Sequence, residues 1–338
     1  MFVLGKRKVM LLNPMLHKAG EEYLIDHGVE VEVVHINQKK VPKEILSRLN
    51  DVDGIIVRLP AGVDKELIES APNLKIISSS GTGTDHIDVE SATKNDVIVV
   101  NNAGVGARPV AEHVVGLMLA LGKKIVMSNN ELKLKGWESR ESFLQENIGV
   151  ELSGKTVGVI GFGHIGRETA SILKNGFGTN IIAFDPFLPD EVFASFGAKR
   201  YDNVREICEI ADYVTLHLPY LSETHHLIGK NELELMKSSA FFINCARGNV
   251  VDQDALIEAV TTGTIAGAGI DVFPTEPPNG KEIAQLNERI IATPHIAGLT
   301  EETNRKLSLS AAEQVLQVLD GEKPKNILNE RAWSVRTS

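Results

Sequence analysis

At 338 residues the chain is too long for one ordinary core and implies about two domains. Apolar residues make up 43% and charged residues 24% of it, which supplies ample core material and excludes an intrinsically disordered chain. The formal net charge of −10, without any long Lys/Arg run, excludes non-specific nucleic-acid binding, which needs a basic face.

Only Cys208 and Cys245 are present, so a disulfide framework is not expected. The N-terminus, MFVLGKRKVMLLNP, lacks the apolar stretch and small residues of a secretory signal. No apolar run approaches the roughly 20 residues that span a bilayer. A cytoplasmic protein without membrane contact is expected.

In chain order, KVMLLNP, VEVVHI, DGIIVRLP, LKIISSSG and DVIVVNN read as five strands, with helices such as HKAGEEYLIDHG and PKEILSRLN between them. Strands apolar on both faces imply a parallel sheet covered by helices on each side. Residues 1 to about 102 therefore form a first α/β unit. One long helix is expected over PVAEHVVGLMLALGKKIVMSNNELKL, with Pro109 in its first turn. The stretch from Trp137 to Leu152 reads as a connection. A second alternation follows, with strands TVGVIG, NIIAFD, ADYVTLHLP, AFFINCA, AGAGIDVF and RIIATPH. The last segment, EETNRKLSLSAAEQVLQVLDGE, reads as an amphipathic helix with no strand after it.

The second alternation opens on Gly161-Phe-Gly163-His-Ile-Gly166, directly between a strand and a helix. Gly161 permits a tight turn, Gly163 lets the backbone approach a pyrophosphate, and Gly166 lets the helix pack on the strand. The pyrophosphate then meets a helix N-terminus, where free N–H groups favour an anion. Asp185 ends the next strand, about 20 residues on, where a carboxylate accepts from ribose hydroxyls. No Arg or Lys adjoins it, so NAD is favoured over NADP.

In an open parallel sheet, ligands bind beyond the carboxyl ends of the strands. Asp185, His217, Arg247, Asp271 and His295 occupy such positions, and Glu276 follows in the loop VFPTEPP. These are the groups that 2-keto acid reduction needs. The guanidinium of Arg247 can take a substrate carboxylate and polarise the keto oxygen. An imidazolium at His295 can protonate that oxygen as hydride reaches the carbon. Glu276 can orient His295 and stabilise its charged form. Taken singly, an Arg after a strand or a Glu in a Pro-rich loop is an ordinary surface residue; their joint placement in a dinucleotide domain favours the chemical reading.

His217 reads as structural, with Leu218 and Pro219 beside the cofactor. His86, His113, His164, His225 and His226 show no metal-ligand spacing, and no metal site is expected. Cys245 reads as a small buried residue near the cofactor.

The chain resembles the D-isomer-specific 2-hydroxyacid dehydrogenases, within them the D-3-phosphoglycerate dehydrogenase-like branch. The motifs that carry the resemblance, in order, are VAEHVVGLMLAL, ELSGKTVGVIGFGHIG, FINCARGNVVDQDAL, GAGIDVFPTEPP and TPHIAG. The resemblance implies two doubly wound parallel-sheet α/β domains. A flavodoxin-like substrate domain, residues 1–102 and 298–338, would be interrupted by a Rossmann NAD domain, residues 103–297, with a cleft between and a homodimer as assembly. It places Arg247, Glu276 and His295 on the family's catalytic residues. It assigns His164, Ile165, Asp185, Cys245, Ala246, Asp271, Ala297 and Gly298 to NAD. In SGTGTDHID, Thr82 and Gly83 would hold the substrate carboxylate. Arg58 resembles an Arg used for a distal anion of phosphoglycerate, although Leu59-Pro60 follow where that branch more often has small polar residues. The chain ends without the regulatory domains of long phosphoglycerate dehydrogenases, so serine feedback is not expected.

The alternative is an NAD(H)-sensing regulator resembling the C-terminal-binding corepressors, which share this fold. A formate dehydrogenase is disfavoured because that group has Gln where this chain has Glu276. An NADP-linked glyoxylate or hydroxypyruvate reductase is disfavoured by Asp185.

Overall fold

The computed structural model describes residues 7–337. Residues 1–6, the start of the segment read for a signal sequence, and Ser338 lie outside the described residues. The chain divides into two compact units, one running up to Gly106 and resuming at Leu299, the other Ala107–Gly298.

The first unit holds five strands: β1 (Lys8–Leu12), β2 (Glu30–Val34), β3 (Gly54–Val57), β4 (Ile76–Ser79) and β5 (Ile98–Val100). They form one parallel sheet in the order β2-β1-β3-β4-β5. Alternation along each strand feeds two cores. Met10, Leu12, Ile55 and Val57 point to one face, Val9, Leu11 and Ile56 to the other. The second face is closed by Ala311, Ala312, Val315 and Leu316 of the helix Glu301–Leu319. That helix thus covers a face of the sheet that the first hundred residues leave open.

The second unit holds β6 (Thr156–Ile160), β7 (Asn180–Phe184), β8 (Ala198–Arg200), β9 (Tyr213–Leu216), β10 (Phe241–Asn244), β11 (Gly267–Ile270) and β12 (Ile290–Ala292). The order is β12-β11-β10-β9-β6-β7-β8, parallel throughout. The strand order reverses between β6 and β9, the switch point where doubly wound sheets bind dinucleotides.

The structure corrects the expected elements at three places. The long helix is two, Ala107–Gly122 and Ile125–Lys135, separated at Lys124, which takes a left-handed conformation (φ 57°). The carbonyl of Gly122 accepts from Val150 N instead of continuing the helical ladder. The edge strand β8 was not anticipated, because Ala-Lys-Arg carries no apolar run. Beyond the helix Glu301–Leu319 the chain also goes on to pair: Ile327 bridges Val100, and Asn329 binds Val99 N and Val97 O through its side chain. A further helix, Glu330–Thr337, follows. That segment covers the β5 edge, which would otherwise present unpaired backbone groups. Among the described residues, no helix is long and apolar enough to cross a membrane.

Candidate active site

The glycine loop is shaped by contacts that leave no room for side chains. Gly161 sits at φ +91°, and a Cβ there would lie 2.7 Å from the carbonyl oxygen of His217. A Cβ on Gly166 would lie 2.2 Å from the carbonyl oxygen of Gly161, so the helix can approach the strand only with glycine there. Around Gly163 the opposite holds: nothing lies within 4 Å of a Cβ position, so the backbone faces open space. Gly163 precedes the helix His164–Phe177, whose first N–H groups, including those of His164 and Ile165, have no partner inside the helix. Phe162 anchors the loop from below, fully buried and stacked on Phe193 at 4.9 Å between ring centres. Truncating such a side chain typically costs about 3–5 kcal/mol. An open, amide-lined turn at a helix N-terminus fits a dinucleotide pyrophosphate.

Asp185 follows β7 and is drawn onto the same turn. Its Oδ2 accepts from Phe162 N at 2.9 Å and its Oδ1 from Phe187 N at 3.0 Å. Each oxygen keeps a further lone pair for a ribose hydroxyl. On the other side of the switch point, His217 follows β9, with Leu218 and Pro219 after it. The Nε2 of His217 lies 3.2 Å from Thr215 Oγ1, while Nδ1 is sealed from solvent and has no hydrogen-bond partner. Burial pushes its pKa down to about 3, which keeps the ring neutral.

Cys245 and Ala246 are buried just after β10. Burial pushes the Cys245 thiol well up, with Asp271 adding to the effect, so it is no nucleophile. The turn is set by Asn244, which accepts from Ala246 N and donates to the carbonyl of Arg247. Arg247 is half-buried and donates from Nη1 to the carbonyl of Ala246 at 2.8 Å. Asn249 then donates to the carbonyl of Pro274 at 3.1 Å, tying this turn to the loop that carries Glu276.

Glu276 Oε2 lies 2.6 Å from Nδ1 of His295, and Glu276 Oε1 accepts from Phe273 N at 3.1 Å. Burial pushes the Glu276 carboxyl up. The hydrogen bond and charge of His295, the Phe273 amide and the Arg247 charge outweigh it and hold the group below its ordinary range. Glu276 is therefore a carboxylate, and its grip on Nδ1 leaves Nε2 of His295 for proton exchange. The ring is 40% exposed and can be reached.

Asp271, after β11, is 1% exposed. Its Oδ1 accepts from Ile296 N at 2.9 Å and its Oδ2 from Ala297 N at 2.8 Å, and its carbonyl accepts from His295 N at 2.8 Å. That carboxylate fixes the 295–298 segment. The sequence alone gave no sign that Asn244, Asn249 and Thr293 help hold these loops; their sole signal is a position beside a residue already singled out.

In the first unit, Arg58 follows β3 and donates from Nε to the carbonyl of Pro14 at 3.0 Å. Thr82 and Gly83 follow the neighbouring strand β4. The carbonyl of Thr82 accepts from Asn101 Nδ2 at 2.8 Å, and that of Gly83 from Ser79 Oγ at 2.8 Å. The three residues thus sit at the carboxyl ends of adjacent strands. Arg247, Glu276, His295 and the dinucleotide residues are all in the second unit. Among the described residues, no group of three or more His, Cys, Asp or Glu side chains is placed to hold a metal.

Residues 115–297 match the family model of the D-isomer specific 2-hydroxyacid dehydrogenase, NAD binding domain. The chain is 40% identical over 322 residues to a D-3-phosphoglycerate dehydrogenase of Methanocaldococcus jannaschii, covering 95% of this chain and 59% of that protein. It therefore spans about three fifths of the length of that relative. It is 38% identical over 310 residues to a glyoxylate reductase of Thermococcus litoralis, covering 91% of this chain and 92% of that one. Among solved structures, a glyoxylate reductase from Paecilomyes thermophila superposes with a TM-score of 0.84 at 26% identity, over 97% of this chain and 100% of that chain.

Proposed function

The chain belongs to the D-isomer-specific 2-hydroxyacid dehydrogenases, and from that premise we propose that it interconverts a D-2-hydroxy acid and its 2-keto acid with NAD. The observation that carries this reading is the 2.6 Å pair of Glu276 and His295 at the carboxyl ends of the dinucleotide sheet.

The cofactor is NAD, which supplies or accepts the hydride when bound; the remaining roles fall to side chains. In keto-acid reduction, Arg247 binds the substrate carboxylate and draws charge from the keto oxygen. His295 delivers a proton from Nε2 to that oxygen as C2 receives hydride, and the hydroxy acid results. Glu276 balances the imidazolium before transfer and keeps the ring in one orientation. In the reverse direction His295 takes the hydroxyl proton. Gly161, Gly163, Gly166, His164 and Ile165 hold the pyrophosphate, and Asp185 the ribose. Leu218, Pro219, Cys245, Ala246, Asp271, Ala297 and Gly298 would complete the cofactor site, Asp271 by holding the 295–298 segment in place. Within the first unit, Thr82 and Gly83 are the candidates for holding an anionic group of the substrate.

Arg58 bears on the substrate. Relatives named D-3-phosphoglycerate dehydrogenase and glyoxylate reductase differ in whether the acid carries a distal phosphate. A guanidinium at the end of β3 supports a distal anion. The protein is also proposed to be a cytoplasmic homodimer. Exposed Leu134, Trp137 and Ile148, at 79%, 77% and 61%, support a second copy on the 125–150 segment. Light scattering on the purified protein decides between one copy and two.

The functional test follows NADH absorbance with glyoxylate, hydroxypyruvate, pyruvate, phosphohydroxypyruvate and bulkier keto acids. Oxidation of NADH with at least one is expected. Binding of NADH without turnover of any would replace the enzyme by an NAD(H)-sensing regulator.

A further inference from the structure

We propose that Thr293 and His113 are positioning residues for His295, acting through the carboxylate of Asp271. The proposal rests on the reading of His295 as the proton-transfer group.

The need for support is visible in the backbone. His295 sits at φ +53°, the left-handed region that non-glycine residues seldom adopt. It follows Pro294, whose ring offers no N–H with which to anchor the turn. The conformation is held by three consecutive amides, His295, Ile296 and Ala297, all donating to Asp271: one to its carbonyl and two to its carboxylate. The two carboxylate bonds survive only while the carboxylate keeps its plane, and the torsion that sets this plane has a broad, soft profile.

Thr293 supplies what fixes it. Its hydroxyl donates to Asp271 Oδ1 at 2.5 Å, the same oxygen that accepts from Ile296 N. With its hydrogen committed to a carboxylate, the hydroxyl oxygen can only accept from its other neighbour. That neighbour is Nε2 of His113 at 3.0 Å, so Nε2 of His113 carries the hydrogen. The same nitrogen lies 3.8 Å from Asp271 Oδ1. His113 belongs to the helix Ala107–Gly122, whose Val114, Leu117 and Met118 are buried in the core beneath the sheet. The order of support runs from a packed helix to an imidazole, a hydroxyl, a carboxylate and the two amides that follow His295, and so reaches the catalytic ring. Thr293 itself is tied to the sheet, with its N–H on the carbonyl of Ile270. Neither His113 nor Thr293 needs to touch substrate for this.

Replacing the hydroxyl by a methyl of similar size isolates the effect. Thr293→Val is expected to lower kcat for keto-acid reduction by about tenfold, as small misplacements of a reacting group do, with the KM for NADH changed less than about twofold. Thr293→Ser restores the hydroxyl and should restore kcat. Amide hydrogen exchange at residues 295–297 should accelerate in the Val variant and not in the Ser variant. His113→Leu and His113→Gln form the second pair, the amide of Gln being able to donate as Nε2–H does. This pair decides the matter should Thr293→Val fail to fold. Unchanged kcat together with unchanged exchange in Thr293→Val overturns the proposal, as does an equal loss of kcat in the Val and Ser variants. Should the unaltered protein turn over no keto acid, faster exchange in Val but not Ser still upholds the positioning. In that case the functional reading falls alone.

Discussion

Oε2 of Glu276 reaches Nδ1 of His295 across 19 residues of chain, because the loops after β11 and β12 lie side by side. Glu276→Gln keeps a hydrogen-bond acceptor there and removes the charge. It should lower kcat for keto-acid reduction roughly tenfold to a hundredfold, with little change in the KM for NADH, since the lost carboxylate faces the imidazole of His295. Steady-state kinetics test this; an unchanged kcat would make Glu276 a loop residue only. The sign of the pH effect is fixed too. The Glu276 carboxyl is held below its ordinary range, so its contribution to stability is full above the unfolded value and is lost as pH falls through the folded one. The difference in urea midpoint between the two proteins should therefore shrink as the pH falls through the acid range.

His295→Asn removes the proposed proton donor and leaves the left-handed backbone with a residue that tolerates it. The expected fall in kcat is about 10² to 10⁴, the usual cost of losing a general acid. NADH binding, followed by fluorescence titration, should remain near the unaltered value. Near-normal turnover would remove His295 from the mechanism.

Asp185 binds Phe162 N and Phe187 N and thereby sets the wall of the dinucleotide turn. Asp185→Ala should weaken NADH and admit NADPH, because a carboxylate repels a 2′-phosphate and alanine does not. The ratio of kcat/KM for the two cofactors is the measurement. An unaltered ratio would contradict the ribose assignment.

All the strands but the edge strand β8 were legible because each is a short apolar run bounded by turn residues, as burial within a parallel sheet favours. The candidate site residues were picked out for a topological reason: Asp185, Arg247, Asp271 and His295 each stand just after such a run. Much of what stayed hidden is held by a few isolated hydrogen bonds. The break at Lys124 depends on Val150 N capturing the Gly122 carbonyl, and the covering of the β5 edge depends on the side chain of Asn329. Neither leaves a periodic trace. Thr293 and His113 were hidden for a related reason: they lie 180 residues apart and meet only through one hydroxyl.

His217 carries a prediction of the opposite kind, about stability and not catalysis. Its Nδ1 is enclosed without a partner, and burial pushes its pKa down to about 3. In the unfolded chain the ring titrates at about 6.5. Below that value the unfolded state binds a proton that the folded state refuses, so stability falls as pH drops from about 6.5 toward the folded value. Above it, both states are neutral and the residue contributes no pH dependence. His217→Gln can keep the hydrogen bond that Nε2 makes to Thr215 Oγ1 and cannot take a charge. Urea midpoints of the two proteins at steps from pH 7 to pH 4 should therefore diverge as acid is added, the variant losing less. The remaining acid-sensitive groups are common to both and cancel in the difference. Parallel curves would mean that the ring takes up its proton inside the fold without penalty, and the enclosure of Nδ1 would then have no energetic weight.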